Sequence, residues 1–168
     1  MKRHMPTLLI TLLLCGAVGA AAQGGEAISL KLSMLLVKTV KVAGKPTEQL
    51  LPNPGSVNPG DVISQVVSVQ NVTAKVVRDL PVQLPVPRNT VYLAPEKSLN
   101  SARTLYSIDG GKTFAAAPLK KTITVTENGK SVQKEVEVLP SEYNAVRWIV
   151  AELSPGAQLK LGYRVQVR

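Results

Sequence analysis

Hydrophobic and polar residues alternate with a period of two along most of this chain. The clearest case is the last segment, in which Leu159, Leu161, Tyr163, Val165 and Val167 alternate with polar residues or glycine. Such an alternation predicts a β-strand with one buried face and one solvated face. No segment follows the period of about 3.6 residues that marks an amphipathic helix. The pattern therefore predicts an all-β protein.

Strand patterns occur at both ends of the chain. Residues 146–150 alternate around Trp148, and Ser154-Pro155-Gly156 separates them from the last strand. Because proline fixes φ and glycine tolerates a positive φ, this tripeptide predicts a tight turn and hence a C-terminal hairpin. Near the start, residues 28–36 alternate in the same way and residues 40–42 resume the pattern. They predict a long or broken first strand.

Turn signals divide the middle of the chain, as at Asn58-Pro59-Gly60 and Asp109-Gly110-Gly111. Between such turns the pattern predicts short strands at residues 62–69, 76–80, 90–93, 105–108 and 122–126. The prolines at 81, 85 and 87 exclude a central strand, because each one removes a donor from the ladder, so this segment is an edge strand or a crossover. Together these features predict an immunoglobulin-like antiparallel β-sandwich of about seven to nine strands.

The first residues have the order of a secretory leader: a basic start at residues 2–4, an apolar run at 8–14 and small residues at 16–22. The apolar run is shorter than the roughly 20 residues that span a bilayer, so no transmembrane segment is expected once the leader is removed. We expect residues 1–22 to be a signal peptide cleaved before Gln23. The protein would then be exported, and periplasmic, cell-surface or secreted.

Cleavage at that position removes the only cysteine, Cys15, and the only histidine, His4. Acylation of Cys15 is the alternative, but a lipoprotein signal places a small residue before the cysteine and here Leu14 precedes it. A mature chain without histidine or cysteine lacks the ordinary ligands of zinc and copper and the usual base of nucleophilic catalysis. We therefore expect no metal, no cofactor and no enzymatic activity. A carboxylate-based hydrolase is the remaining catalytic alternative.

The mature chain is long enough for one domain with its own core. We expect an N-terminal strand and a linker-like turn region over residues 23–60, and the sandwich over residues 61–168. Trp148 lies in the apolar phase of its strand, which indicates a core position. Asp61 and Asp109 follow turn signals and are expected to bind turn amides, since a calcium ion needs about six to eight oxygen ligands.

Several motifs resemble, in order, the parts of a bacterial family. Asn58-Pro59-Gly60-Asp61-Val62-Ile63 is similar to its opening, and Ser107-Ile108-Asp109-Gly110-Gly111-Lys112-Thr113-Phe114 to its middle. Val146-Arg147-Trp148-Ile149-Val150 and Leu153-Ser154-Pro155-Gly156 are similar to its end. The family is the conserved-repeat domain known as domain of unknown function 11. The resemblance implies an immunoglobulin-like sandwich in an exported or cell-surface protein, and it implies no catalytic residues.

The chain is basic, with 20 lysines and arginines against 11 acidic residues and a formal net charge of +9. Four of the basic residues lie on polar positions of the predicted C-terminal hairpin: Arg147, Lys160, Arg164 and Arg168. They predict a cationic face that contacts an anionic envelope polymer, and the alternative is a surface whose charge serves solubility alone. Nucleic acid is not an expected partner outside the cytoplasm.

Taken together, these features favour an exported, non-catalytic module with a structural, adhesive or interaction role at the cell envelope. The alternative is a periplasmic or secreted partner that binds or assembles one specific protein, by addition of a strand at an open sheet edge.

Overall fold

The structure, a computed structural model, describes residues 27–96 and 102–168. These residues form ten strands and one turn of 3-10 helix at Pro140–Glu142. The strands are β1 (Ile28–Val42), β2 (Lys45–Pro52), β3 (Val62–Asn71), β4 (Val77–Pro85), β5 (Thr90–Pro95), β6 (Arg103–Ser107), β7 (Lys120–Glu127), β8 (Lys130–Glu137), β9 (Ala145–Leu153) and β10 (Gln158–Val167). The leader predicted over residues 1–22 lies outside the described residues.

Two antiparallel sheets form the body of the molecule. The large sheet has five strands in the order β2-β1-β3-β10-β5, and the small sheet has three in the order β4-β9-β6. β7 and β8 form a separate two-stranded ribbon. The sheets face each other, since the indole of Trp148 on β9 stacks on the ring of Tyr163 on β10 with centroids 6.1 Å apart. The predicted all-β, immunoglobulin-like sandwich is confirmed.

The centre of the core is aromatic. Tyr106 and Tyr143 stack with ring centroids 4.6 Å apart, and Tyr92 meets Tyr106 edge-on at 5.5 Å. The Tyr92 hydroxyl donates to the Tyr106 hydroxyl at 3.2 Å. Trp148 is 4% exposed, which confirms its predicted core position. Burial raises the pKa of Tyr92 and of Tyr163 above the usual value, so both phenols keep their protons.

The predicted C-terminal hairpin is wrong. β9 belongs to the small sheet and β10 to the large one, so the turn between them crosses from one layer to the other. Asn71 at the end of β3 holds this turn: its backbone carbonyl accepts from Gly156 and its backbone N–H donates to Ala157, both at 3.0 Å. The Asn71 side-chain amide also donates to the Leu153 carbonyl at 2.9 Å. These bonds draw the chain across the sandwich, where β10 pairs with β3.

The N-terminal region is more regular than expected. β1 is one unbroken strand of 15 residues, and the stretch predicted to be linker-like contains β2. The two strands form a hairpin through Ala43-Gly44, whose φ angles of 48° and 78° are both positive, as a type I′ turn requires. Asparagine or aspartate is the usual residue at the first of these positions, so Ala43 gave only a weak turn signal.

Those prolines that lie within strands are all on edge strands. The four central strands, β1, β3, β9 and β10, contain none. They occur at positions 46 and 52 of β2, 81 and 85 of β4, and 95 of β5. A proline on an edge costs no ladder bond when its nitrogen faces away from the neighbouring strand. Of the two alternatives predicted for the segment with prolines 81, 85 and 87, an edge strand or a crossover, the edge strand is the one found for residues 81–85. The strand prolines interrupt three of the open edges.

Candidate functional site

The large sheet extends beyond the small one. β6 lies over β5, where Tyr106 meets Tyr92, and β9 lies over β10, where Trp148 meets Tyr163. β4 is the neighbour of β9 on the side away from β6, and the Tyr163 hydroxyl donates to its Pro85 carbonyl at 2.6 Å. With three strands, the small sheet reaches no further than β3. The inner face of β1 therefore has no strand opposite it.

Three large apolar residues occupy this uncovered face, and we call Leu30, Leu32 and Met34 the β1 shelf. Leu30 pairs with Val69 and Leu32 with Val67, and directly paired residues project on the same side of a sheet. Both valines are buried in the core, so the shelf residues also point inward. Their exposed fractions are 59%, 51% and 50% respectively.

The shelf is bounded at both ends of β1. Leu36, two residues beyond Met34 on the same face, is only 5% exposed, and Ile28 at the start of the strand is partly buried against the core. The half-exposed part of this face is therefore confined to the middle of β1. It is a recess in the apolar interior that solvent reaches from one side.

A cavity of about 550 Å³ continues from the Met34 end of the shelf. Its lining includes Met34, Gln65 and Val57, and the side chain of Val57 is itself 43% exposed. Arg88 also lines it. The shelf and the cavity share Met34, so they form one apolar surface with a basic group at one end.

The structure separates the four basic residues predicted to form a cationic face. Arg147 on β9 is adjacent to the inward-facing Trp148, and Arg164 on β10 is adjacent to the inward-facing Tyr163. Neighbouring residues of a strand project to opposite faces, so these two arginines lie on opposite outer faces of the sandwich. Lys160 shares the outer side of the large sheet with Arg164, whereas Arg168 comes after the end of β10 and lines the cavity beside Met34. The expected single face does not form, because it depended on the C-terminal hairpin, and polymer binding stays a prediction.

Two of the four arginine and lysine side chains are already engaged. The guanidinium of Arg147 lies 3.8 Å from the centre of the Phe114 ring and donates to the Gln83 side chain at 2.9 Å. Arg164 donates to Glu48 at 2.8 Å and to Glu96 at 2.8 to 3.1 Å. These bonds, first to Glu48 and then to Glu96, raise the pKa of the Arg164 guanidinium above its usual value.

The ion cluster around Arg164 spans the large sheet. The Arg164 and Glu96 side chains are 12% and 7% exposed, and Glu48 is 44% exposed. The Ser64 hydroxyl also donates to Glu96. Glu48 and Glu96 are a pair of carboxylates that the fold brings together, but the guanidinium lies between them. In a glycosidase the space between the two acids holds the scissile bond and water, so this pair does not have that arrangement.

Asp109 organises the turn after β6. Its Oδ1 accepts from the Ser107 hydroxyl at 2.7 Å and from the Lys112 N–H at 3.0 Å. Its Oδ2 accepts from the Thr113 hydroxyl at 2.6 Å. Gly111 has φ +85, and a Cβ there would lie 2.8 Å from the side chain of Gln83, so the turn packs on the outer face of the small sheet. These contacts confirm the turn role predicted for Asp109. Sequence reasoning missed that the turn also places Phe114 over Arg147.

Asp109 should remain ionised in acid. The Thr113 hydroxyl, the Thr113 N–H and the Ser107 hydroxyl hold the pKa of its carboxyl well below the usual range. The stabilisation of the turn by this carboxylate is therefore complete above the ordinary value of about 3.9 and is lost only as pH falls through the lower folded-state pKa. Carboxyl-carbon NMR should find Asp109 still charged at about pH 3, when an ordinary aspartate is mostly protonated.

The Asp109→Asn variant provides the matched comparison. It removes the charge that the Lys112 and Thr113 amides bind, so both amides should exchange with solvent faster than in the parent protein. Midpoint titration of the Asp109 carboxyl near pH 3.9 would contradict this account of the turn.

Among the described residues, no three or more histidine, cysteine, aspartate or glutamate side chains group together in a way that could hold a metal ion. Within the same ranges, no helix is long and apolar enough to cross a membrane. Comparison of the chain with family models, with curated proteins and with solved structures gave no match. The relation to domain of unknown function 11 therefore stays a prediction.

Proposed function

We propose that this chain is an exported, non-catalytic interaction module that docks a partner protein of the cell envelope on the β1 shelf. The observation that carries the proposal is the half-exposed state of Leu30, Leu32 and Met34 on a strand within the large sheet. A contiguous apolar patch on an exported protein marks an interaction surface more often than a chance exposure. Each side chain is already about half buried, so covering the rest would contribute about half of the roughly 1.5–3 kcal/mol that full burial gives.

The alternative in which basic residues bind an anionic polymer has less support. Arg147 and Arg164 lie on opposite outer faces and already bind groups of the chain itself. Lys160 is left on the outer face of the large sheet and Arg168 beside the cavity, and neither forms an ion pair with a carboxylate of the described residues. Two separated exposed cations supply little affinity at physiological salt, because the screening length there is about 8 Å.

A triple variant tests the proposal. Leu30→Ser, Leu32→Ser and Met34→Ser together should release the protein from a complex with an envelope partner, since docking would then bury hydroxyls in place of apolar groups. The measurement is the apparent mass of the protein in gently solubilised envelope of the producing cell. The parent should migrate as a complex and the variant as a free chain.

The matched control replaces exposed apolar residues elsewhere. Val132→Ser and Leu139→Ser change side chains that are 42% and 64% exposed and lie outside the shelf, so this double variant should keep the complex. Circular dichroism checks that both variants fold. A parent that migrates as a free chain, or a triple variant that stays in the complex, would rule out docking on the shelf.

A further inference from the structure

We infer that the segment docked on the β1 shelf is an amphipathic α-helix of the partner, with an apolar stripe and acidic flanks; this inference rests on the proposed function. The space over the shelf is the position that a further strand next to β4 would occupy, because β4 is the edge of the small sheet on that side. The chemistry of the β4 edge decides what can fill this space.

The β4 edge is a poor template for a strand. Pro81, Gln83 and Pro85 share one phase of the strand, and the prolines can be accommodated only if that phase faces away from β9. Prolines have no N–H, so Gln83 is the single backbone donor among these three positions. The carbonyl of Pro85 already accepts from the Tyr163 hydroxyl. An added strand would therefore find partners for only about half of its backbone groups that face these three positions.

The other end of β4 interrupts pairing as well. Asp79 has a φ of 50°, and Asp79 and the opposite Ala151 are left out of a register that continues unshifted from Arg78 with Glu152 to Leu80 with Val150. A positive φ departs from the extended conformation that a regular ladder needs. Regular backbone pairing is thus disturbed along both halves of β4, while the apolar shelf behind it stays open.

A helix meets these conditions because it satisfies its backbone hydrogen bonds internally. From Leu30 to Met34 the shelf extends about 14 Å at roughly 3.4 Å per residue. About nine helical residues cover that length at a rise of 1.5 Å each. An apolar stripe at positions i, i+4 and i+7 would place one side chain near each shelf residue. The cavity beside Met34 would receive a fourth.

Basic residues lie near both ends of the shelf. Lys38 comes two residues after Leu36 on the same face of β1, and Arg88 lines the cavity that Met34 shares. Lys75 lies at the other end, where its carbonyl accepts from Asn71, the residue paired with Ile28. None of these three cations forms an ion pair with a carboxylate of residues 27–96 or 102–168.

These cations favour a partner helix with acidic residues. Acidic flanks on the helix would lie close to the cations, whereas a second copy of this chain would bring like charges together on a protein of net charge +9. The geometry and the charges therefore favour an acidic amphipathic helix over an added strand and over self-association.

Three labelled peptides of about the same length, a little over twice the roughly nine residues that cover the shelf, test the inference by fluorescence anisotropy with the purified protein. The first has leucines at helical spacing and glutamates on the flanks; the second has the same residues with leucine in strict alternation; the third has lysine in place of glutamate. We expect the first to bind and to gain helical circular dichroism on mixing. The other two should bind at least about tenfold more weakly.

The variant Leu32→Asn should raise the Kd of the acidic helical peptide about tenfold or more, as expected for a central contact residue. Leu139→Asn, at an exposed leucine outside the shelf, should leave the Kd unchanged. Tight binding of the alternating peptide that Leu32→Asn abolishes would overturn the helix while leaving the docking function in place. Equal binding of the lysine peptide would overturn the acidic flanks.

Two further outcomes count against the inference. Failure of all three peptides to bind overturns the helix, and the envelope-complex experiment then decides the docking function separately. Sedimentation of the protein alone gives the second outcome: a dimer that Leu32→Asn dissociates would identify a second copy as the occupant and overturn the helix.

Discussion

Replacement of Trp148 by alanine is expected to lower the free energy of unfolding by about 3–5 kcal/mol. Trp148 is 4% exposed and stacks on Tyr163 across the two sheets. β9 and β10 belong to different sheets, so this stacking is a contact between the two layers of the sandwich. Removal of the indole opens a cavity at this contact. Urea unfolding followed by far-ultraviolet circular dichroism measures the loss, since the variant has no tryptophan to report it.

The control is Leu139→Ala, at a side chain that is 64% exposed, which should change the stability by no more than about 0.5 kcal/mol. A Trp148→Ala protein that unfolds within 1 kcal/mol of the parent would contradict the core position of the indole.

Replacement of Arg164 by glutamine should cost about 3 kcal/mol, a magnitude typical of removing one partner from a buried ion pair. The variant removes the guanidinium that binds both Glu48 and the Glu96 carboxylate, which is 7% exposed. The charge that stays on this buried carboxylate, more than the lost Coulomb attraction, accounts for most of the effect. Urea unfolding of the single variant at neutral pH gives the value.

Two further substitutions distinguish the effect of the buried carboxylate charge from a loss of packing around Arg164. Glu96→Gln in the Arg164→Gln background should recover much of the lost stability, because it removes the charge of the buried carboxylate. Lys160→Gln, on the same outer face of β10, should change the stability by about 0.5 kcal/mol or less. An Arg164→Gln variant as stable as Lys160→Gln would mean that the cluster has no structural role.

The alternation of apolar residues was sufficient to predict the fold class, because burial of one face imposes a period of two on every strand. It also placed Trp148 and Tyr163 inward. The prolines at 81 and 85 identified an edge strand for a reason of equal generality, the loss of a ladder donor. Asp109 was assigned to a turn from its glycine neighbours, and its hydrogen bonds bear that out.

Topology was less accessible. A short turn between two alternating strands is compatible with a hairpin in one sheet and with a crossing between two sheets, since each arrangement buries the same faces. The bonds that select the crossing come from Asn71, which lies 85 positions before Gly156 in the chain. A local pattern does not contain that information. The false cationic face followed from this error, because it assumed that β9 and β10 were neighbours.

The β1 shelf was missed for a related reason. Residues 28–36 have the pattern of an ordinary half-buried strand, and nothing within them indicates which positions the opposite sheet covers. The exposure of Leu30, Leu32 and Met34 arises from the difference between five strands in one sheet and three in the other. Strand counts per sheet depend on long-range pairing, so this candidate site emerges only from the folded arrangement.

Methyl NMR of the purified protein, labelled at leucine and methionine, tests docking on the β1 shelf most directly. During titration with the acidic helical peptide, the methyl signals of Leu30, Leu32 and Met34 should shift together and saturate at one Kd. The buried Leu153 and Leu161, 4% and 1% exposed, should not move. Shifts confined to leucines outside the shelf, such as Leu93 or Leu139, would contradict the account.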